Sequence, residues 1–227
     1  MKPNATTQLS APSPTTARVR TSPAPSSALL LALSALAVAF PAHASVSTSK
    51  CFDFNTRVIA ALHEAPVKAG GDSVESGKRS DGTAWAAVRG GVNKPFPALL
   101  ARLLDPETTR DPQVNEFKVE KVESPQYLAY IRRKNMVKQL LIMEVRWVED
   151  WVYAVVEGTP QDPKTVVISY QKSEGTQFME RFCGSIVLRH TAGETTEVSQ
   201  YEESRITGQG VSDRVSGLND LLAKLRK

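Results

Sequence analysis

From residue 114 to about residue 203 the chain alternates apolar and polar side chains with a period of two, the pattern of half-buried strands. "VNEFKVEKV" sets Phe117 and Val119 against Lys118 and Glu120. "KQLLIMEVRWV" sets Leu141, Met143, Val145 and Trp147 against Glu144 and Arg146, and "WVYAVVEG" alternates through Trp151, Tyr153 and Val155. Turn signals near Lys134-Asn135, at Glu149-Asp150 and over "TPQDPK", "KSEG" and "AGE" divide this run into about seven strands. Short turns between alternating strands predict an antiparallel meander.

On either side the period lengthens. "NKPFPALLARLLDP" places Phe96, Leu99, Leu100, Leu103 and Leu104 on one helical face. Asn93 is a candidate cap, Pro97 sits in the first turn and Asp105-Pro106 stops the helix. "CFDFNTRVIAALHEA", residues 51–65, predicts another helix through Phe54, Val58, Ala61 and Leu62, capped by Asp53 or Asn55 and ended by Pro66. Residues 67–82 read as a loop or short irregular strand, and residues 83–92 as a strand. The closing "GVSDRVSGLNDLLAKLRK" has Val211, Val215, Leu218, Leu222 and Leu225 at steps of three and four, an amphipathic helix with basic residues in its last turn. Gly217 in its middle implies either close packing on the sheet or room for a ligand beneath it.

The stretch "GTQFMERFCGSIVLRH", residues 175–190, carries apolar residues at both parities. Phe178, Glu180, Phe182, Gly184, Ile186 and Leu188 share one side; Met179, Arg181, Cys183, Ser185 and Val187 share the other. Both faces of this strand are therefore expected to be covered. Glu180, among phenylalanines, needs a cation such as Arg132, Arg146 or Arg205 if buried, and otherwise reaches solvent. Gly184 is expected to mark a bulge or bend.

The first segment changes the picture of the charge. No Asp or Glu precedes Asp53, and "ALLLALSALAVAF", residues 28–40, leads into "PAHA". A basic leader, a short apolar core and an A-x-A site predict a secretory signal over residues 1–44, cut after Ala44. Its apolar run is shorter than the ~20 residues of a spanning helix, so no stable membrane span is expected once it is removed. Its loss removes three positive charges and no negative ones, taking the formal charge from +4 to +1. The basic character belongs to the leader and gives no ground for a nucleic-acid partner. The expected address is periplasmic or secreted. There Cys51 and Cys183 can form a disulfide, the alternative being two buried thiols.

The order of strand, short helix, long antiparallel run and terminal amphipathic helix resembles the helix-grip fold of the START-like (SRPBCC) superfamily. "WAAVRGGVNKPFPALLARLLDPETTR", "FMERFCGSIVLRHTAGETTEVSQYEES" and the closing "VSGLNDLLAKLRK" carry the resemblance, over residues 83–227. It implies an α+β protein: a curved antiparallel sheet of about seven strands wrapped on a long C-terminal helix, with residues 45–82 as an N-terminal extension of helix and loop. It also implies a cavity between sheet and helix for a lipid or other apolar small molecule, carried by a monomer.

The apolar faces supply Met143, Trp147, Tyr153, Phe178 and Phe182 as cavity candidates, with Glu180 for a polar head. The same residues would equally build a solid core. No metal-ligand spacing, phosphate loop, dinucleotide fingerprint or nucleophile elbow is present, so no metal, cofactor or catalytic residue is assigned. Two alternatives stand: an enzyme of cyclase or hydrolase type using Glu180, Arg181 or His190, and a cavity-free interaction domain.

Overall fold

The structure, a computed structural model, describes residues 50–227 except 59, 68–70, 140–142 and 192. The signal-like residues 1–44 lie outside the described residues. Eight strands form one antiparallel sheet: β1 (Ser73–Lys78), β2 (Ala84–Val92), β3 (Glu116–Lys121), β4 (Ala129–Gln139), β5 (Met143–Gly158), β6 (Pro163–Gly175), β7 (Met179–His190) and β8 (Thr196–Ile206). Their order is β1-β2-β8-β7-β6-β5-β4-β3. Since β8 pairs with β2, strands β2 and β3 stand far apart in the sheet. Helix α1 (Phe96–Leu104) and a 3-10 turn (Pro106–Thr109) join them. Helix α2 (Val211–Arg226) closes the chain. A curved sheet gripping a terminal helix is the expected helix-grip architecture, with the added strand β1 drawn from the stretch 67–82.

The inner face of the sheet holds the main core. Ala86, Val88, Ile131, Trp151, Tyr153, Ile168, Ile186, Leu188 and Val198 pack there with Phe96, Leu99 and Leu103 of α1 and Leu218, Leu222 and Leu225 of α2. Both amphipathic helices bury most of the face their spacing predicts, but Leu104 of α1 is exposed and Val211 and Val215 of α2 are only half-buried. Pro95, rather than Asn93, is the N-cap of α1. At α2 the Asp213 carboxylate accepts from the Gly210 N–H at 2.7 Å. The helix is seated at its far end by Arg226, which donates to the Gly91 carbonyl and pairs with Asp72. A Cβ at Gly90 would lie 2.3 Å from Asp72 and 3.0 Å from Leu222, so the glycine permits this seat. Gly217 answers neither expectation: it is exposed, with open space where a Cβ would stand.

Two expected turns are absent because their polar residues are paired within strands. Lys134 and Asn135 lie inside β4, whose register to β5 is continuous from Ala129↔Tyr153 to Gln139↔Met143. Glu149 and Asp150 lie inside the sixteen-residue β5. Glu149 points inward and accepts from two indoles, while Asp150 points outward and takes Arg132 at 2.9 Å.

The helix expected over residues 51–65 is also absent; its described residues are turns, bends and irregular chain. Tertiary contacts override the helical spacing. Cys51 is bonded to Cys183 of β7. Gln171 of β6 accepts from the Cys51 and Phe52 N–H groups and donates to the Phe52 carbonyl, all at 2.9 Å. Phe52 and Phe54, an i, i+2 pair suited to extended chain, pack on Tyr127, Tyr130, Val152 and Ala154. Further on, Ala65 packs on Ala87 and Tyr201. This strap covers the outer face and explains why β7 is apolar at both parities. Beneath it, Glu203 accepts from Arg79 at 2.7 Å, Tyr201 at 2.6 Å and Arg181 at 2.6 Å.

Gly184 does not mark the irregularity of β7. Its pairing is continuous on both sides, and the register shift lies between Met179 and Arg181. Gly184 instead allows a close approach: a Cβ there would meet the Tyr170 hydroxyl at 2.3 Å and the Tyr201 carbonyl oxygen at 2.4 Å.

Candidate functional site

A row of polar and aromatic side chains crosses the inner face from β4 to β8. Arg133, on β4, is 1% exposed, and its guanidinium lies 3.7 Å over the Trp151 ring. Trp151 stacks on Tyr170 of β6 at 4.2 Å, and Tyr170 lies against Gly184. The Tyr170 hydroxyl donates to Glu202 of β8 at 2.9 Å, and Arg214 of α2 donates to the other Glu202 oxygen at 2.5 Å. Register makes the row: Trp151 pairs with Tyr170, and Tyr170 with Gly184, so successive side chains share one face.

At the β4 end the row is incompletely paired. Glu149 is the direct register partner of Arg133. Its two oxygens accept from Trp147 Nε1 at 2.5 Å and Trp151 Nε1 at 2.8 Å. Arg133 Nη1 donates to Thr109 at 2.7 Å, and the Glu149 oxygens are taken by the two indoles. Arg133 Nε and Nη2, Asn135 Nδ2 and, under α2, Gln200 Oε1 are buried without a well-aligned hydrogen-bond partner, and the Tyr153 hydroxyl stands beside the Arg133 guanidinium. Burial pushes the Arg133 guanidinium below its usual range, against the pull of Tyr153 and Glu149. Burial likewise pushes the Glu149 carboxyl up, against the two indoles and Arg133. Tyr170 is driven well up by burial and by Glu202.

Apolar residues flank this end. Val114, Val145, Trp147 and Met179 form a second cluster with Phe117, Val137, Phe182 and Ile206 packed against it. Phe182 touches both this cluster and the main core. Under the C-terminal half of α2 the space is filled by Leu218, Leu222 and Leu225. Two open surface grooves lie elsewhere. One of about 280 Å³ separates α1 from the β5–β6 loop at Pro160–Pro163; one of about 240 Å³ adjoins Arg89, Gly90 and Thr195.

The residues expected to line a cavity divide accordingly. Trp147, Tyr153 and Phe182 face inward, and the Tyr153 hydroxyl donates to the Leu103 carbonyl at 3.0 Å. The Met143 side chain lies outside the described residues. Phe178 is 41% exposed, and the Glu180 side chain is 50% exposed with its carboxylate 2.6 Å from Arg205 Nε. That approach lies off the N–H axis, so it is an ion pair and no hydrogen bond. The irregularity before Arg181 breaks the alternation that would have carried both residues inward. Arg133, Asn135, Glu149, Trp151, Tyr170 and Gln200 were not singled out. The missed signal is parity: Arg133 and Asn135 share the side of Ile131, and Glu149 shares that of Trp147 and Trp151.

No protein-family profile matches the sequence, and no curated protein matches it. Solved structures do resemble the fold. Human StAR-related lipid transfer protein 5 is 13% identical, over 74% of this chain and 84% of that one, with a TM-score of 0.48. A STAR-related lipid transfer protein from Xanthomonas axonopodis is 14% identical, over 72% and 98%, with a TM-score of 0.47. The Zhui aromatase/cyclase from Streptomyces sp. R1128 is 14% identical, over 62% and 86%, with a TM-score of 0.40.

Proposed function

We propose that the protein binds and carries an amphipathic small molecule, a lipid or similar apolar compound, on the inner face of the sheet beside the aromatic row. One observation carries this: on the inner face at the β4 end, Arg133 Nε and Nη2 and Asn135 Nδ2 are buried without a well-aligned hydrogen-bond partner. An unsatisfied buried donor or acceptor costs about 1–3 kcal/mol, so a core evolved for stability alone has reason to lose it. The apolar cluster around Trp147, Met179 and Phe182 stands next to these groups and suits the body of such a molecule. The leucines beneath α2 move the expected place of the ligand away from that helix toward the β4–β5 side.

Carriage outside the cytoplasm fits the signal-like residues 1–44, and the Cys51–Cys183 bond is compatible with an oxidising compartment. Among the described residues no helix is long and apolar enough to cross a membrane. The carrier acts as a monomer, without nucleic acid. The enzyme alternative loses its proposed constellation. Glu180 sits in a half-exposed ion pair, Arg181 binds Glu203 on the outer face and His190 is exposed beside Phe96. The filled space under α2 favours the cavity-free interaction domain as second reading.

Native mass spectrometry of protein purified from its own host, before and after organic extraction, separates the two. A co-purifying apolar compound that rebinds the extracted protein is expected. Protein that arrives empty, and whose melting temperature is unmoved by its host's lipid extract, would leave the interaction domain.

A further inference from the structure

The Cys51–Cys183 bond stands against a buried carboxylate. Glu203, 2% exposed, is the register partner of Cys183. Its Oε1 lies 3.5 Å from Cys183 Sγ and 3.8 Å from Cys51 Sγ. Burial works against the charge of this carboxyl, but Tyr201, Arg181 and Arg79 outweigh it and hold it below the usual range. In the disulfide neither sulfur carries a hydrogen, so oxygen and sulfur meet as two electron-rich atoms. In the reduced pair each distance suits a thiol donating to a charged oxygen, and such a bond is about twice as strong as a neutral one. The carboxylate thus favours two thiols over the bond. The strap itself has two anchors of different kinds. The far anchor needs no covalent bond: Glu64 pairs with Arg189, the Leu62 N–H donates to Ser185 Oγ at 3.3 Å and Ala65 is fully buried. The near anchor is the disulfide, with Gln171 bonded to Cys51 and Phe52. Asn55, Thr56 and Arg57, between the two, are exposed.

We propose that the Cys51–Cys183 bond is a reversible redox latch on the strap, with Glu203 the positioning group that favours its open, dithiol form. This goes beyond the carrier reading and does not rest on it. The reductant is a dithiol. Its thiolate attacks Cys51 Sγ, since Cys51 is half-buried and Cys183 is 0% exposed. The sulfur–sulfur bond breaks and its electron pair leaves on Cys183, which takes a proton from water and donates it to Glu203 Oε1. The second thiol of the reductant then attacks its own sulfur in the mixed disulfide. Cys51 leaves as a thiolate and is protonated, and the reductant departs as a disulfide. In all, two electrons and two protons pass from the dithiol to the protein. Opening frees Phe52 and Phe54 from Tyr127, Tyr130, Val152 and Ala154, while Glu64 keeps the far end in place.

The test equilibrates oxidised full-length protein at pH 7 with dithiothreitol at graded ratios of its dithiol and disulfide forms, and counts thiols by alkylation and mass spectrometry. Wild type is expected to open without denaturant and to close again when the ratio is reversed. Glu203→Gln, which keeps an acceptor without the charge, is expected to open with an equilibrium constant about tenfold smaller, a potential ~30 mV lower. An equal or larger constant in Glu203→Gln overturns the role of Glu203. Wild type that yields its thiols only in denaturant overturns the latch. Amide hydrogen exchange across residues 52–58 is expected to rise on opening while that of residues 62–65 stays slow; unchanged exchange at 52–58 overturns the release of the strap. Should Glu203→Gln not fold, the S–H stretching band of reduced wild type decides. A band moved to lower wavenumber, as for a thiol bonded to a charged oxygen, supports Glu203, and an unmoved band overturns it.

Discussion

Arg133 and Glu149 face one another across the β4–β5 ladder and form no ion pair. Cross-strand neighbours of opposite charge ordinarily close on each other. Here the indoles of Trp147 and Trp151 hold the carboxylate, and the face of Trp151 holds the guanidinium. The aromatic groups separate two buried charges that would otherwise satisfy each other, and Arg133 turns to Thr109 through Nη1 instead.

Glu149 gives the fold a pH dependence of unusual sign. Burial raises its carboxyl above the ordinary 4.5, in spite of the indoles and Arg133. The folded state therefore holds this proton more firmly than the unfolded state, and deprotonation costs stability as pH rises from about 4.5. Urea unfolding at pH 4.5, 5.5 and 7 should show Glu149→Gln gaining on wild type as pH rises. A difference between the two that is the same at all three pH values would refute the assignment.

Two glycines should respond oppositely to alanine. Gly184→Ala puts a Cβ 2.3 Å from the Tyr170 hydroxyl and 2.4 Å from a backbone oxygen, an overpacking expected to cost ~1–3 kcal/mol and to disturb the Trp151–Tyr170 stack. Gly217→Ala enters open space on a helix and should stabilise by ~0.4–1 kcal/mol. Denaturant midpoints and near-ultraviolet circular dichroism read both.

Removing the disulfide with Cys51→Ala/Cys183→Ala frees a constraint between positions 132 residues apart, worth up to ~4–5 kcal/mol in the chain-entropy account. The strap should then be cut by trypsin at Arg57, which now donates to the Val155 carbonyl at 2.7 Å. Limited proteolysis with peptide mapping checks this; resistance at Arg57 in the double variant would mean that Gln171, Phe52 and Phe54 hold the strap unaided.

Leu222 and Glu180 test which side chains the fold depends on. Leu222, 2% exposed in the main core, should cost ~2–5 kcal/mol on truncation to alanine. Glu180→Gln breaks a half-exposed pair with Arg205 and should cost under ~1 kcal/mol. Thermal unfolding of the two variants side by side is sufficient. A larger loss from Glu180→Gln would place that carboxylate in a role its exposure does not suggest.

The sequence by itself determined the period-two run, both inward helical faces and the parity of β7 from Phe182 to Leu188. These follow from which side chains must leave water, a choice made within a few residues. That both faces of β7 are covered was legible for the same reason, whereas the two cysteines left bonded and free thiols equally open until the fold brought Cys51 to Cys183. Only the tertiary structure decided the rest. The polar pairs Lys134-Asn135 and Glu149-Asp150 resemble turns until the strands beside them supply partners. Residues 51–65 have helical spacing, but Cys183 and Gln171 lie more than a hundred residues away and hold the chain out of a helix. One extra residue before Arg181 turned Phe178 and Glu180 outward, and pairing across β4 and β5 brought Arg133 to the candidate site. Those outcomes depend on register between distant strands, and no local pattern of side chains encodes which residue will stand opposite which.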